Sequence, residues 1–150
     1  MKFIHLSDKP YTTFNTPKSS LGIFKPNGLW LAPKGVWEEY TKFELSRQPH
    51  KYTYEFDIDI DKLIILKTYK DIEKFNDTYS VEVENSPEYK DFFVDWDRAK
   101  KETGKSGVYI KNAQIKQARQ KFIWYSGFDV ESISIWNSDA IKSFKLISDK

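Results

Sequence analysis

Several residue groups in this chain have types and spacings that bear on chemistry. His5 and Ser7 stand two apart in Phe3-Ile-His-Leu-Ser7, so on an extended strand they share one face. Asp129 and Glu131 stand at the mouth of Ser132-Ile-Ser-Ile-Trp136. A carboxylate at a strand mouth can stabilise positive charge developing at a sugar carbon; the plainer alternative is an acid in a turn. Asp57, Asp59 and Asp61 alternate with isoleucines, and on a strand would present carboxylates suited to a hard cation. The Gly and the distant Glu of a calcium loop are missing, so the expected role is a solvated strand end that blunts edge pairing, and no metal site is expected. Lys111, Lys116, Arg119 and Lys121 precede Trp124 and Tyr125. Stacking on bases with phosphate contact uses this mixture; a solvated helix face is the plainer expectation.

Two further patterns argue themselves down. Ala99-Lys-Lys-Glu-Thr-Gly-Lys105-Ser106 fits a loose phosphate-loop pattern with Ala for the first Gly. That loop must follow a strand and open a helix. Here a helical pattern precedes and an apolar run follows, so Gly104 is expected to stop a helix. Of the two histidines, His50 follows Pro49 in a polar stretch, while His5 sits between apolar residues as a core histidine would. No nucleophile-elbow motif accompanies Ser7.

The elements that must position these residues are organised around 25–40, Lys-Pro-Asn-Gly-Leu-Trp-Leu-Ala-Pro-Lys-Gly-Val-Trp-Glu-Glu-Tyr, which holds two of the five tryptophans. Pro26-Asn-Gly28 reads as a turn, Leu29 to Ala32 as a strand, and Val36, Trp37 and Tyr40 as one helical face. Before it, 2–7 reads as a strand and 11–20 as a polar loop. After it, 52–58 alternates as a strand with Tyr52, Tyr54, Phe56 and Ile58 inward, and 63–66 is an apolar strand buried on both sides. Thr68 and Asp71 form a capping-box pattern for a helix carrying Ile72, Phe75 and Tyr79. Ser86-Pro-Glu88 opens a helix through Tyr89, Phe92, Phe93, Trp96 and Ala99. Strands are expected at 108–110, 122–125, 133–136 and 144–147. A short basic helix capped by Asn112 runs to Gln120, and Ser138-Asp139 caps a last turn of helix.

The count is six to eight short strands and three or four short helices without regular alternation. The expected fold is therefore α+β, one compact domain over 1–150 with a mixed or split antiparallel sheet. At 150 residues one core suffices. A net charge of +2 with interspersed signs argues against a dedicated nucleic-acid arm. The absence of cysteine excludes disulfides, Cys-based zinc sites and Cys nucleophiles. With no signal-peptide pattern and no apolar run of membrane length, a cytoplasmic protein with no membrane partner is expected.

Gly28-Leu-Trp-Leu-Ala32, with Val36 and Tyr40 on the following helix, resembles the glycine–aromatic strand and helix of the ADP-ribosyltransferase fold. The branch it is similar to has a His-Tyr-Glu triad and includes poly-ADP-ribose polymerase catalytic domains and diphtheria-like toxins. The family's first-strand His is matched by His5-Leu-Ser7 and its late-strand Glu by Glu131. Trp30 stands where the family has Tyr, which keeps ring stacking and loses the hydroxyl contact. The resemblance implies cleavage of the glycosidic bond of NAD through an oxocarbenium-like state. His5, Trp30 and Glu131 would then be catalytic. His5 would hold the adenosine-side ribose, the Gly28 backbone would bind the nicotinamide amide, and Trp30 and Tyr40 would sandwich the ring. Glu131 would bond the ribose 2′-hydroxyl, with Asp129 as its rival, and Ser7, Leu29 and Trp37 would complete the NAD site. A macromolecular acceptor is implied, in a toxin, effector or phage-encoded setting. The residues also support a different class: a non-catalytic module whose aromatics recognise a protein or single-stranded nucleic acid.

Overall fold

The computed structural model describes residues 1–18, 25–37, 51–81 and 91–149. Among these, seven strands and four α-helices form a mixed α+β fold. The strands are β1 (Lys2–Ser7), β2 (Leu29–Leu31), β3 (Tyr52–Ile58), β4 (Leu63–Leu66), β5 (Gly107–Ile110), β6 (Ser132–Ile135) and β7 (Ile141–Ser148). The helices are α1 (Tyr69–Tyr79), α2 (Trp96–Thr103), α3 (Lys116–Lys121) and α4 (Ile123–Ser126). The sheet is split, as expected: a three-stranded antiparallel sheet in the order β1-β3-β7 and a four-stranded sheet in the order β2-β6-β5-β4. The only parallel pair among the described strands is β4 with β5. An antiparallel bridge between Ile4 and Ala32 joins the sheets.

The four-stranded sheet separates two cores. On β5, Val108 and Ile110 enter a cluster with Ile72, Phe75, Trp96 and Trp124 from the helices. Tyr109, between them, enters a second cluster with Phe3, Phe56, Leu31, Ile133 and Ile135, between the two sheets. Alternation along a strand sends neighbours to opposite faces, and β5 and β6 are buried on both. On β3, Tyr54, Phe56 and Ile58 are buried and alternate with less buried Thr53, Glu55 and Asp57, matching the period read from sequence.

The ends of α1 and α2 are set by named groups. Thr68 Oγ1 accepts from the Asp71 amide (3.1 Å) and Asp71 Oδ2 accepts from the Thr68 amide (3.0 Å). Gly104 ends α2 in the left-handed region at φ 65°, where glycine carries no Cβ penalty. Buried Asn76 ties α1 to α4, donating to Asp91 Oδ1 (2.7 Å) and accepting from Trp124 Nε1 (2.9 Å).

Several expectations are corrected. Of the helix expected from Ser86, Ser86 to Tyr89 lie outside the described residues, and the described helix starts at Trp96, capped by Asp95. Asp91 has φ 64° and Val94 bridges to Ser80, so the helical spacing of Phe92 and Phe93 with Trp96 is not used. The segment 122–125 is not a strand. Trp124 and Tyr125 are consecutive and both 0% exposed within one cluster, which a strand would forbid and the short helix α4 allows. β4 is an edge strand with Ile65 41% exposed, not buried on both sides. Asn112 does not cap α3; its Oδ1 accepts from the Gln114 amide (2.9 Å), and Ile115 precedes the helix. Asn137, not Ser138, caps the turn Ser138–Ala140. No helix among the described residues is long and apolar enough to cross a membrane.

Candidate functional site

β2 and its flanking turns build the main cleft. Trp30 leaves β2 on the helical side and packs against the first core. It meets Phe128 with ring centroids 5.8 Å apart. Trp37, in the helical turn that starts at Val36, faces the same space. Lys25, Asn27, Asp129 and Ser132 supply the polar wall of a cleft of about 400 Å³. Lys25 Nζ lies 5.5 Å over the Trp30 ring, a cation–π arrangement that keeps positive charge beside the indole. The cleft thus joins two indoles, a cation, a carboxylate and two short polar groups.

The register decides which candidate residues meet here. Trp30 pairs with Ser134 and Leu31 with Ile133 across β2 and β6. Trp30, Ser134 and Ser132 therefore share the helical face, and Ile133 and Ile135 face the other core. Glu131 precedes Ser132 and alternates with it. Its carboxylate accepts a hydrogen bond from the Tyr109 hydroxyl, and the Tyr109 ring lies in the inter-sheet core, 5.4 Å from Phe3. Burial, then the bond to Glu131, raises the Tyr109 hydroxyl well above the usual tyrosine value. The Trp30 indole and the Glu131 carboxylate thus open onto opposite faces of one sheet. Asp129, the rival acid, lines the cleft with Trp30 and Trp37.

His5 is on β1, and its Nδ1 donates to the Trp30 carbonyl (2.9 Å). A carbonyl only accepts, so Nδ1 carries the proton. The His5 ring packs edge-on to Tyr11 and Phe56, on the inter-sheet side. His5 and Trp30 are linked through backbone, not through a shared cleft. Ser7 closes a local turn, donating to the Lys9 carbonyl (2.6 Å) and accepting from its amide (3.1 Å). Gly28 lies flat against β6: a Cβ there would sit 2.5 Å from Ser134 Oγ and 2.6 Å from the Ile135 carbonyl oxygen. Leu29 packs on the inter-sheet core. Tyr40 and His50 lie outside the described residues.

The other motifs are used structurally. Lys105 Nζ donates to the Asp61 carbonyl (2.9 Å), and the Gly104 and Ser106 amides donate to Lys100 and Lys62, so no phosphate cradle forms. The strand carrying Asp57 ends at Ile58 and a 3-10 turn follows, capped by Asp59. Asp57 itself holds the N-terminal ammonium (2.8 Å), so the three acids do not share a strand face. Trp124 and Tyr125 are fully buried, which removes them as stacking surfaces for the basic cluster. Arg119 instead bridges the Ala113 and Phe128 carbonyls (3.0 and 2.7 Å) and holds the loop that presents Phe128. Sequence reasoning missed Phe128 and Lys25; their only signal is a cation beside the turn that opens β2 and an aromatic beside the turn that precedes β6. No protein-family model, characterised protein or solved structure matches the chain.

Proposed function

We propose that this chain is a binding module whose Trp30–Trp37 cleft takes a planar, charged ligand of the nucleotide type. One observation carries the reading: two indoles, a lysine over one of them and a carboxylate line a single cleft. Stacking on an aromatic side chain contributes about 1–3 kcal/mol per base and tolerates any base. Lys25 is exposed, so its attraction to a phosphate is screened by salt. Asp129 and Asn27 add a carboxylate and an amide to the lining of the cleft. About 400 Å³ is at the lower end of ligand clefts and suits one ring with its sugar. Calorimetry with AMP, CMP and NAD tests the reading. Trp30→Ala is expected to weaken binding roughly 5- to 150-fold, the stacking contribution converted to affinity. No heat with any of the three at millimolar concentration overturns it.

A second reading, an NAD-dependent ADP-ribosyltransferase acting on a macromolecular acceptor, is favoured by the placement of Asp129. An acid in the same cleft as Trp30 and Trp37 is where a forming sugar cation needs negative charge. In this reading the indoles hold the nicotinamide and Asp129 takes the part that the resemblance gives to Glu131. Glu131 serves Tyr109. NAD turnover lost in Asp129→Asn and kept in Glu131→Gln is the expected pattern; the reverse refutes the assignment to Asp129.

A further inference from the structure

A second cleft lies across the 26–28 turn from the first. It has a volume of about 370 Å³ and is lined by Tyr11, Phe14, Asn15 and Lys18, with Gly28 and Leu29 as its floor. Leu29 and Trp30 are consecutive on β2 and point to opposite faces. The two clefts therefore flank one strand end, the first on the helical side and the second on the inter-sheet side. The ridge between them is Pro26, Asn27 and Gly28. Gly28 keeps it thin and seats it on β6, where a Cβ would meet backbone 2.6 Å away. Asn27 Nδ2 donates to the Lys18 carbonyl (3.5 Å), so the wall of the second cleft is tied to the ridge.

The two sides match in chemistry. The first has three aromatic side chains, Trp30, Trp37 and Phe128, and the second has two, Tyr11 and Phe14; each has an asparagine and one exposed lysine, Lys25 on the first side and Lys18 on the second. Each volume suits one ring with its sugar. Whatever links a ring in one cleft to a ring in the other must cross the ridge, whose flanks carry the two lysines. Among the described residues Asp129 is the only carboxylate lining either cleft. It repels a phosphate from the depth of the first cleft and favours the ridge. Asn15, Thr16 and Lys18 on one side and Lys25, Asn27 and Asp129 on the other are exposed, so among the described residues a chain continuing past either ring meets no wall.

We infer that the two clefts form one bipartite site for two successive nucleotides of a single-stranded nucleic acid. The bases splay to either side of the 26–28 turn, and the connecting phosphate lies between Lys18 and Lys25. The inference rests on the reading of the first cleft as a nucleotide-ring site. Linking two rings makes the second binding event intramolecular, at an effective concentration near millimolar, so the dinucleotide gains over the mononucleotide without any new kind of contact.

Tryptophan fluorescence titrations of the full chain with CMP, the dinucleotide CpC, a tetracytidylate and NAD test this. The variants are Phe14→Ala and, because a half-buried Phe can affect folding, the exposed Lys18→Glu. CpC is expected to bind at least tenfold tighter than CMP. Both variants are expected to erase that gain while CMP affinity stays unchanged. Absence of CMP binding overturns the ring-site reading and this inference with it. CMP binding without a CpC gain, or a gain that survives both variants, overturns the bipartite site and leaves the first cleft standing. NAD binding tighter than tetracytidylate, with sensitivity to Phe14→Ala, overturns the strand in favour of a free dinucleotide.

Discussion

Replacing Ser134 by alanine is expected to stabilise the protein. Ser134 is 0% exposed in the middle of β6, and its Oγ is the one buried side-chain polar atom without a hydrogen-bond partner among the described residues. A buried hydroxyl left unpaired costs about 1–3 kcal/mol. Alanine removes only that oxygen. The vacated volume, roughly 10 Å³ at about 24 cal/mol per Å³, costs a few tenths of a kcal/mol. The net gain is about 1–2 kcal/mol, a rise in Tm of roughly 2–8 °C for a chain of this length. Differential scanning calorimetry reads it directly. Ser134→Val is the control. It also removes the hydroxyl but adds carbon where Gly28 leaves space for none, so overpacking of about 1–3 kcal/mol offsets or reverses the gain. A Tm for Ser134→Ala about 2 °C below wild type refutes the reasoning, since it requires that the oxygen be paired in solution.

Gly28→Ala is expected to destabilise by about 1–3 kcal/mol through overpacking, because its Cβ would press on the Ile135 carbonyl at 2.6 Å; chemical denaturation at constant m-value measures it. Thr68→Ala removes one half of the capping box and is expected to cost about 1 kcal/mol, read as a lower denaturation midpoint. Asp71 in that box titrates below the usual carboxylate value: burial opposes the shift, and the bonds from Thr68 and Lys67 outweigh it. Its stabilisation is therefore present above the ordinary carboxylate value and lost as pH falls through the lowered one, so Asp71→Asn, which removes the titrating group, should flatten the acid limb of a Tm-versus-pH profile. Burial raises Tyr11, Tyr109 and Tyr125 above the ordinary tyrosine value of 10.0. A raised pKa gives stability that is complete below the unfolded value and lost as pH climbs towards the folded one. Tm should fall steeply above about pH 10, and Tyr109→Phe should soften that fall; an unchanged alkaline slope in Tyr109→Phe counts against the Tyr109–Glu131 pair.

What was legible in the sequence is what local periodicity controls. The alternation of Tyr54, Phe56 and Ile58 gave β3 its buried face, Thr68 with Asp71 marked the start of α1, and Gly104 marked the end of α2. The α+β class and the split sheet followed from such elements. Two of the failures share a cause: the pattern of a short apolar stretch does not by itself settle helix or strand. Phe122 to Tyr125 reads as a strand until Trp124 is seen bonded to Asn76, 48 residues away. Phe92 and Phe93 read as helix until Asp91 turns left-handed to meet the same Asn76. A long-range polar anchor overrode the local signal in both places.

The candidate site was partly legible for a related reason. The stretch around Trp30 was recognisable as a turn, strand and helix start, and the structure builds its cleft there. Which acid faces Trp30 depends on the pairing of Trp30 with Ser134, and a register shift of one residue sends every side chain to the other face. The same alternation separates stability from binding in this fold. Glu131, Ile133 and Ile135 serve the inter-sheet core, while Ser132 and Asp129 line the cleft one or two residues away. Substitutions at exposed Asp129 should therefore change ligand affinity with little change in Tm, Trp30→Ala should lower both because the indole also packs on the first core, and substitutions at Tyr109 and Ile133 should lower Tm with little change in affinity. Sites on opposite faces of a sheet share no packing partner, and such sites add nearly independently. A Trp30→Ala, Tyr109→Phe pair provides the cycle: additive effects on both affinity and Tm are expected, and a coupling above about 0.5 kcal/mol in either would mean that the sheet transmits between its faces and that the two cores do not act as separate bodies.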